Sequence, residues 1–216
     1  MNQVKHKQRV TDHGEVFTSD REVNAMLNLV KQETLRIESR FLEPACGTGN
    51  FLAEILKRKL TVVAEKYKKS QLEYERNAII AVSSLYGIDI LEDNVQECRE
   101  RLLEIMKLDY RKYFKQECKD RYFASVQYIL RKNILWGDAL TLNQVGTHKR
   151  EPITFAEWSP VSGSMIKRRD YTLAHLLAYQ PMEGDNLFSD LGDKAFIPKP
   201  IKEYPLTHFL ELSSYA

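Results

Sequence analysis

Residues 40–56 constrain the fold more than any other part of the chain. A short apolar run, Arg40 to Pro44, ends on a proline and passes into Ala45-Cys46-Gly47-Thr48-Gly49; Phe51, Leu52, Ile55 and Leu56 then recur at helical spacing. The pattern is strand, glycine turn, helix. Strands alternating with helices are the pattern of an α/β fold, in which successive strands lie parallel and are joined by crossovers. An all-α or all-β chain is thereby excluded. Glycine lets the backbone turn sharply and approach a ligand closely, and the helix N-terminus behind it offers unpaired N–H groups. Alone, the turn reads first as a plain βα connection.

The remaining pattern fits the same architecture. Val23, Met26, Leu27 and Val30 form one apolar stripe, predicting a helix between Thr18 and Arg36, with Thr18, Ser19 or Asp20 as its cap. A second helix is expected over Gln71–Leu85, a strand over Tyr86–Ile90, and helices over Leu91–Lys107 and Tyr110–Lys132. Asn133–Trp136 reads as a strand running into Gly137 and Asp138. Beyond Leu140, Ile153–Trp158 is a candidate strand, Ser159–Ser164 a turn, Met165–Arg169 an irregular segment and Tyr171–Tyr179 a short helix. The boundaries expected are therefore a first domain over residues 1–140 and a C-terminal extension over 141–216, either an incomplete sheet or a target-contacting segment.

Three strand ends carry candidate chemistry. No Gly-Lys-Ser/Thr follows the glycine turn, which excludes a phosphate-binding P-loop. The bulky Phe51 and Leu52 stand where a dinucleotide fingerprint needs a small residue. Asp89, ending the next strand, can accept from both hydroxyls of a ribose, or it can cap the helix that follows. At the third strand end Asp138 can accept from an adenine amino group, with Ala139 and Leu140 walling its ring. Together the three ends describe a pocket for an adenosine whose other end is not a pyrophosphate.

These segments, in this order, resemble the adenine-specific, S-adenosylmethionine-dependent DNA methyltransferases of restriction-modification systems. The likeness covers most of the first 140 residues. Gly14 to Ser19 is similar to the family's Gly-x-x-Phe-Thr-Pro segment, with Ser19 in place of the proline; Leu42 to Phe51 resembles its first cofactor motif, Tyr86 to Ile90 its acidic strand end, and Asn133 to Leu140 its third motif. The resemblance implies a Rossmann-like methyltransferase fold of class α/β, here with a partial parallel sheet, an N-terminal helix and helical insertions. It implies S-adenosylmethionine as cofactor, held by Phe17, Thr18, Glu43, Ala45, Gly47, Gly49, Asn50, Phe51, Asp89, Ile90, Asp138, Ala139 and Leu140, and DNA as partner.

One family element is missing. Its members hold the target amino group with an Asn/Asp/Ser-Pro-Pro-aromatic tetrapeptide whose ring stacks on the flipped base. This sequence contains no Pro-Pro pair. Ser159-Pro160-Val161-Ser162 is the nearest approach, and it lacks the second proline and the ring; a surface turn is the favoured reading. The expected activity is therefore methyl transfer to the adenine amino group of DNA with a complementary methyltransferase or restriction subunit. The alternatives are an inactive cofactor-binding module and a methyltransferase for a non-DNA substrate.

Composition bounds the partners. Lys and Arg number 32 against 30 Asp and Glu, a net charge of +2, so any nucleic-acid surface must be local. Lys57, Arg58 and Lys59 form one basic run and Lys167, Arg168 and Arg169 another; the second is the candidate DNA contact, and solvated faces look the same. Three cysteines without paired spacing and five scattered histidines suggest neither a disulfide framework nor a metal site. The absence of an apolar signal core or a spanning apolar run leads to the expectation of a cytoplasmic protein with no membrane partner.

Overall fold

The computed structural model describes residues 18–146, 150–178 and 198–215. The chain starts with α1 (Asp20–Leu29) and the single-turn α2 (Lys31–Thr34). Ser19 caps α1 in a capping box: its Oγ accepts the Glu22 N–H at 3.4 Å and the Glu22 carboxylate accepts the Ser19 N–H at 3.0 Å. The helix expected to run to Arg36 thus breaks at Val30, which leaves the helical region. Ser19 thus gives this helix a side-chain cap.

The core of the chain is β1 (Phe41–Glu43), α3 (Asn50–Tyr67), α4 (Gln71–Ser83), β2 (Leu85–Asp89), α5 (Glu92–Phe114), α6 (Asp120–Asn133) and β3 (Ile134–Asp138). β1, β2 and β3 lie side by side in sequence order and parallel, Phe41 opposite Leu85 and Gly87 opposite Ile134. A short β4 (Asn143–Gln144) closes the sheet antiparallel against β3. Each crossover carries two helices rather than one. The structure is therefore α/β with a four-stranded, mostly parallel sheet, as the glycine turn required. The helix expected to stop at Lys107 continues to Phe114, since no glycine or proline intervenes, and a 3-10 turn separates it from α6.

Helical packing explains the doubled crossovers. Tyr74, Tyr110, Tyr122 and their neighbours Tyr113, Phe114 and Phe123 interlock where α4, α5 and α6 meet, with the Tyr74 and Tyr110 rings stacked at 5.9 Å. Their hydroxyls are directed at carboxylates, Tyr74 to Asp109 and Tyr110 to Glu75, and Lys119 neutralises the fully buried Glu75 at 2.8 Å. These phenols and carboxylates are thus paired, as a low-dielectric interior demands, while the buried Tyr122 hydroxyl has no hydrogen-bond partner. Lys59 is fully buried too, and its ammonium donates to the carbonyls of Ile37 (3.1 Å) and Ser39 and to the Ser84 hydroxyl.

The C-terminal part forms a second, antiparallel sheet: β5 (Thr154–Pro160), β6 (Met165–Thr172), β7 (Lys202–Glu203) and β8 (Thr207–His208), with α7 (Leu173–Leu177) after β6. The Met165–Arg169 segment, expected to be irregular, is regular strand paired with β5, Arg168 opposite Trp158. Ser159 and Pro160 are likewise strand residues, not turn, opposite Lys167 and Ile166. Trp158, Ile166 and Phe209 enter the same apolar core as the helices, so the segment beyond Leu140 shares a core with the one before it. The Trp158 indole N–H bonds the Asn133 side chain at 3.3 Å and Asn133 bonds the Ser83 carbonyl at 3.1 Å, fixing the sheet to the ends of α6 and α4. Among the described residues no helix is long and apolar enough to cross a membrane.

Candidate functional site at the strand ends

Parallel strands in register bring their C-terminal ends to one rim, where open α/β sheets bind ligands. β1 ends at Glu43. The turn that follows is held to the next strand by the Cys46 N–H, which donates to the Ile88 carbonyl at 2.8 Å. Gly47 and Gly49 both adopt positive φ, +51° and +83°, and Gly49 occupies the N-cap of α3 with no side chain over the helix N-terminus. The Gly47 N–H donates to Asp89 Oδ2 at 2.8 Å. The acid ending β2 is thereby fastened to the turn ending β1, 42 residues earlier.

Asp89 takes the helix-capping role, one of the two expected of it. Oδ1 accepts the Leu91 N–H at 2.9 Å and the Asn94 side-chain amide at 3.3 Å, which organises the first turn of α5. Each carboxylate oxygen has two lone-pair directions, so Oδ2 retains one for a further donor.

Glu43 is half-buried, and burial raises its carboxyl above the usual carboxylate range, opposed only by the Ala45 N–H. A carboxylate so placed gains when a cationic group arrives. The neighbouring Cys46 thiol is pushed far above its ordinary value, first by its hydrogen bond with Cys98 and then by burial, so it remains a neutral wall.

Asn50 uses its side chain on the protein. Its amide donates to the Thr18 carbonyl at 2.9 Å, and its oxygen accepts from the Arg101 guanidinium, which also reaches the Thr48 carbonyl at 3.5 Å. Thr18 is in this way brought against the glycine turn, while Phe17 lies outside the described residues. Phe51 packs against the main core.

The third strand end is more open. Asp138 Oδ1 accepts the Leu140 N–H and Oδ2 the Thr141 hydroxyl, each at 2.9 Å, and these bonds hold its carboxyl below the usual range. Ala139 packs inward, whereas Leu140 is 95 % exposed. Ile90 is half exposed, and its carbonyl accepts the Trp136 indole N–H at 3.0 Å, tying the second rim position to the third.

Sequence reading overlooked Asn94, Arg101 and Trp136. Asn94, Cys98 and Arg101 stand at i, i+4 and i+7 of α5, one helical face turned to the glycine turn. That spacing was the available signal.

The other candidates do not join this rim. Ser159 donates its hydroxyl to Glu157 and accepts from Arg169 at 3.4 Å, in the second sheet. Strand alternation also splits the basic run. Lys167 pairs with Glu203 at 2.9 Å and Arg169 with Glu157 at 3.5 Å on one face. Arg168 turns inward, 3 % exposed, bidentate to Asp170 at 2.8 and 2.7 Å and stacked 4.0 Å from the Tyr204 ring centroid. Its guanidinium is unavailable to a phosphate. Among the described residues no cluster of His, Cys, Asp and Glu can hold a metal ion.

Comparison of the chain with protein-family models, with curated proteins and with solved structures finds no match.

Proposed function

We propose that the rim binds S-adenosylmethionine and that the chain is the cofactor-holding part of a DNA adenine methyltransferase with a Rossmann-like methyltransferase fold, completed by a partner chain that supplies the missing tetrapeptide. The observation carrying this reading is the 2.8 Å bond from the Gly47 N–H to Asp89. It sets an acid and a glycine turn side by side on adjacent parallel strands, with Asp138 on the third.

The donor set fits the cofactor's parts. Glu43, raised by burial without a cation beside it, suits the methionine ammonium; Asp89 has the free lone pair for a ribose hydroxyl; Asp138, Ala139, Leu140 and the exposed Ile90 suit the adenine. When bound, the cofactor supplies an electrophilic methyl group on sulfonium sulfur. This chain's residues bind and orient it, and Asn50 and Arg101 hold the Thr18 segment against the turn. No residue here is assigned to the transfer itself, because the Ser159 hydroxyl is engaged by Glu157 and Arg169. That engagement favours the split reading over a self-sufficient enzyme.

The test pairs calorimetric binding of S-adenosylmethionine to the native chain and Asp89→Ala with transfer of labelled methyl to adenine-containing DNA. Cofactor binding lost in Asp89→Ala, without transfer by the chain alone, is the expected result. No binding by the native chain overturns the reading; robust transfer abolished by Ser159→Ala overturns the need for a partner.

A further inference from the structure

A cavity of about 320 Å³ opens beside the start of β1, the end of that strand opposite Glu43. It is independent of the cofactor reading. One wall is the face of the parallel sheet turned away from the helices: Leu42 and Tyr86 are register partners there, and Phe155 from β5 meets the Tyr86 ring edge-on at 5.2 Å. The facing wall is α7, whose five residues bring Leu173, Leu176 and Leu177 to the same space. Leu42 is 44 % and Leu177 54 % exposed, so the apolar surface is open to a ligand rather than sealed as core. The volume falls at the small end of ligand pockets, about 300–1,000 Å³.

The polar end has a definite sign. Arg40, immediately before β1, bonds one oxygen of Glu157, and Arg169 stands 3.5 Å from the other. Glu157 also lines the cavity, but its Oε1 is engaged by Arg40 and the Ser159 hydroxyl and its Oε2 has no solvent access, so the carboxylate is turned to the two guanidiniums. Glu203, 3.8 Å from Arg169, is already paired with Lys167 at 2.9 Å. Arg40, Lys167 and Arg169 therefore face two carboxylates, which leaves one positive charge uncompensated. Burial raises the phenols of Tyr86 and Tyr171, both lining the cavity, and keeps them protonated hydrogen-bond donors. Glu157 apart, the charged and phenolic groups lining this end, Arg40, Arg169, Tyr86 and Tyr171, are donors.

We propose that the cavity binds an apolar monocarboxylate, its hydrocarbon or aryl body between the Leu42–Tyr86 wall and the α7 leucines and its carboxylate accepting from Arg40 and Arg169. One surplus charge matches a monoanion. A dianionic phosphate ester would leave charge unmatched against apolar walls, and an ammonium would meet like charge.

Octanoate, octan-1-ol and octylamine serve as probes, titrated calorimetrically into the whole chain. Octanoate binds saturably at one site, octanol at least tenfold more weakly, and octylammonium not at all. Arg40→Gln lowers octanoate affinity about tenfold and leaves octanol unchanged; Leu177→Trp, which fills the mouth, removes both. Both side chains are exposed, and matching thermal unfolding of native and variant chains verifies the fold. Equal binding of octanoate and octanol, binding indifferent to Leu177→Trp, or no saturable binding overturns the proposal.

Discussion

A Cβ placed on Gly49 would stand 2.6 Å from the Cys98 sulfur, closer than Cβ atoms come to a non-bonded neighbour. The glycine that caps α3 is therefore set by α5 behind it as well as by its +83° φ. Gly49→Ala is expected to cost about 2–4 kcal/mol, combining the left-handed penalty with overpacking. In a Cys98→Ala background only the left-handed part, about 1–2 kcal/mol, should remain. Urea unfolding of the four proteins in the cycle measures this; an equal cost in both backgrounds would exclude the contact as its origin.

Lys59 makes stability depend on pH. Burial lowers its ammonium to about 7. An unfolded chain keeps that proton up to the ordinary lysine range near 10.4, so between the two values the unfolded state binds more protons and stability rises with pH. The gain is lost as pH falls through about 7. From pH 7 to 9 the native chain should gain on the order of 1–2 kcal/mol relative to Lys59→Met. Parallel curves for the two proteins would disprove the coupling.

Removing the Arg168 guanidinium leaves Asp170, 8 % exposed, with the Tyr204 hydroxyl at 3.1 Å as its remaining side-chain partner. Arg168→Ala should destabilise by about 3–5 kcal/mol. Lys167→Ala, one position earlier on the outer face, should cost less than about 1 kcal/mol. Arg168→Lys should not rescue, since an ammonium has neither the bidentate fork nor the flat face that stacks on Tyr204. Chemical denaturation separates the three.

Glu43 should show opposite effects on stability and binding. Its raised carboxyl means that the native state holds a proton more readily than the unfolded chain, so this group's contribution falls as pH rises through the acid range. Glu43→Gln is expected to raise the thermal midpoint at neutral pH while weakening S-adenosylmethionine about tenfold, near 1.4 kcal/mol. A variant that binds the cofactor as well as the native chain would remove Glu43 from the site.

The parallel half of this fold was legible because its signals are local. Gly47 and Gly49 between an apolar run and helical spacing state the turn without knowledge of what surrounds it, and Asp89 and Asp138 follow from where the next apolar runs stop. The antiparallel half was not. Whether Lys167, Arg168 and Arg169 face water depends on the register of β6 against β5, fixed by Trp158 and Phe209 reaching the helical core. A basic run offers no period from which to read that alternation. Lys59 misled similarly: within Lys57-Arg58-Lys59 it reads as solvated, yet carbonyls at 37 and 39 draw it inside.

The sequential order of β1, β2 and β3 also bears on the order of assembly. Each parallel pairing closes a loop that already contains its own pair of helices, so local helix contacts can shorten the search before the strands meet. The β5–β6 hairpin can form on its own turn, where Pro160 meets Ile166. Docking the two pieces requires contacts such as Arg40 with Glu157, 117 residues apart. The search for the junction of the two sheets spans the greatest sequence separation of these steps, and substitutions there are expected to act on folding rate more than on either sheet's own cohesion.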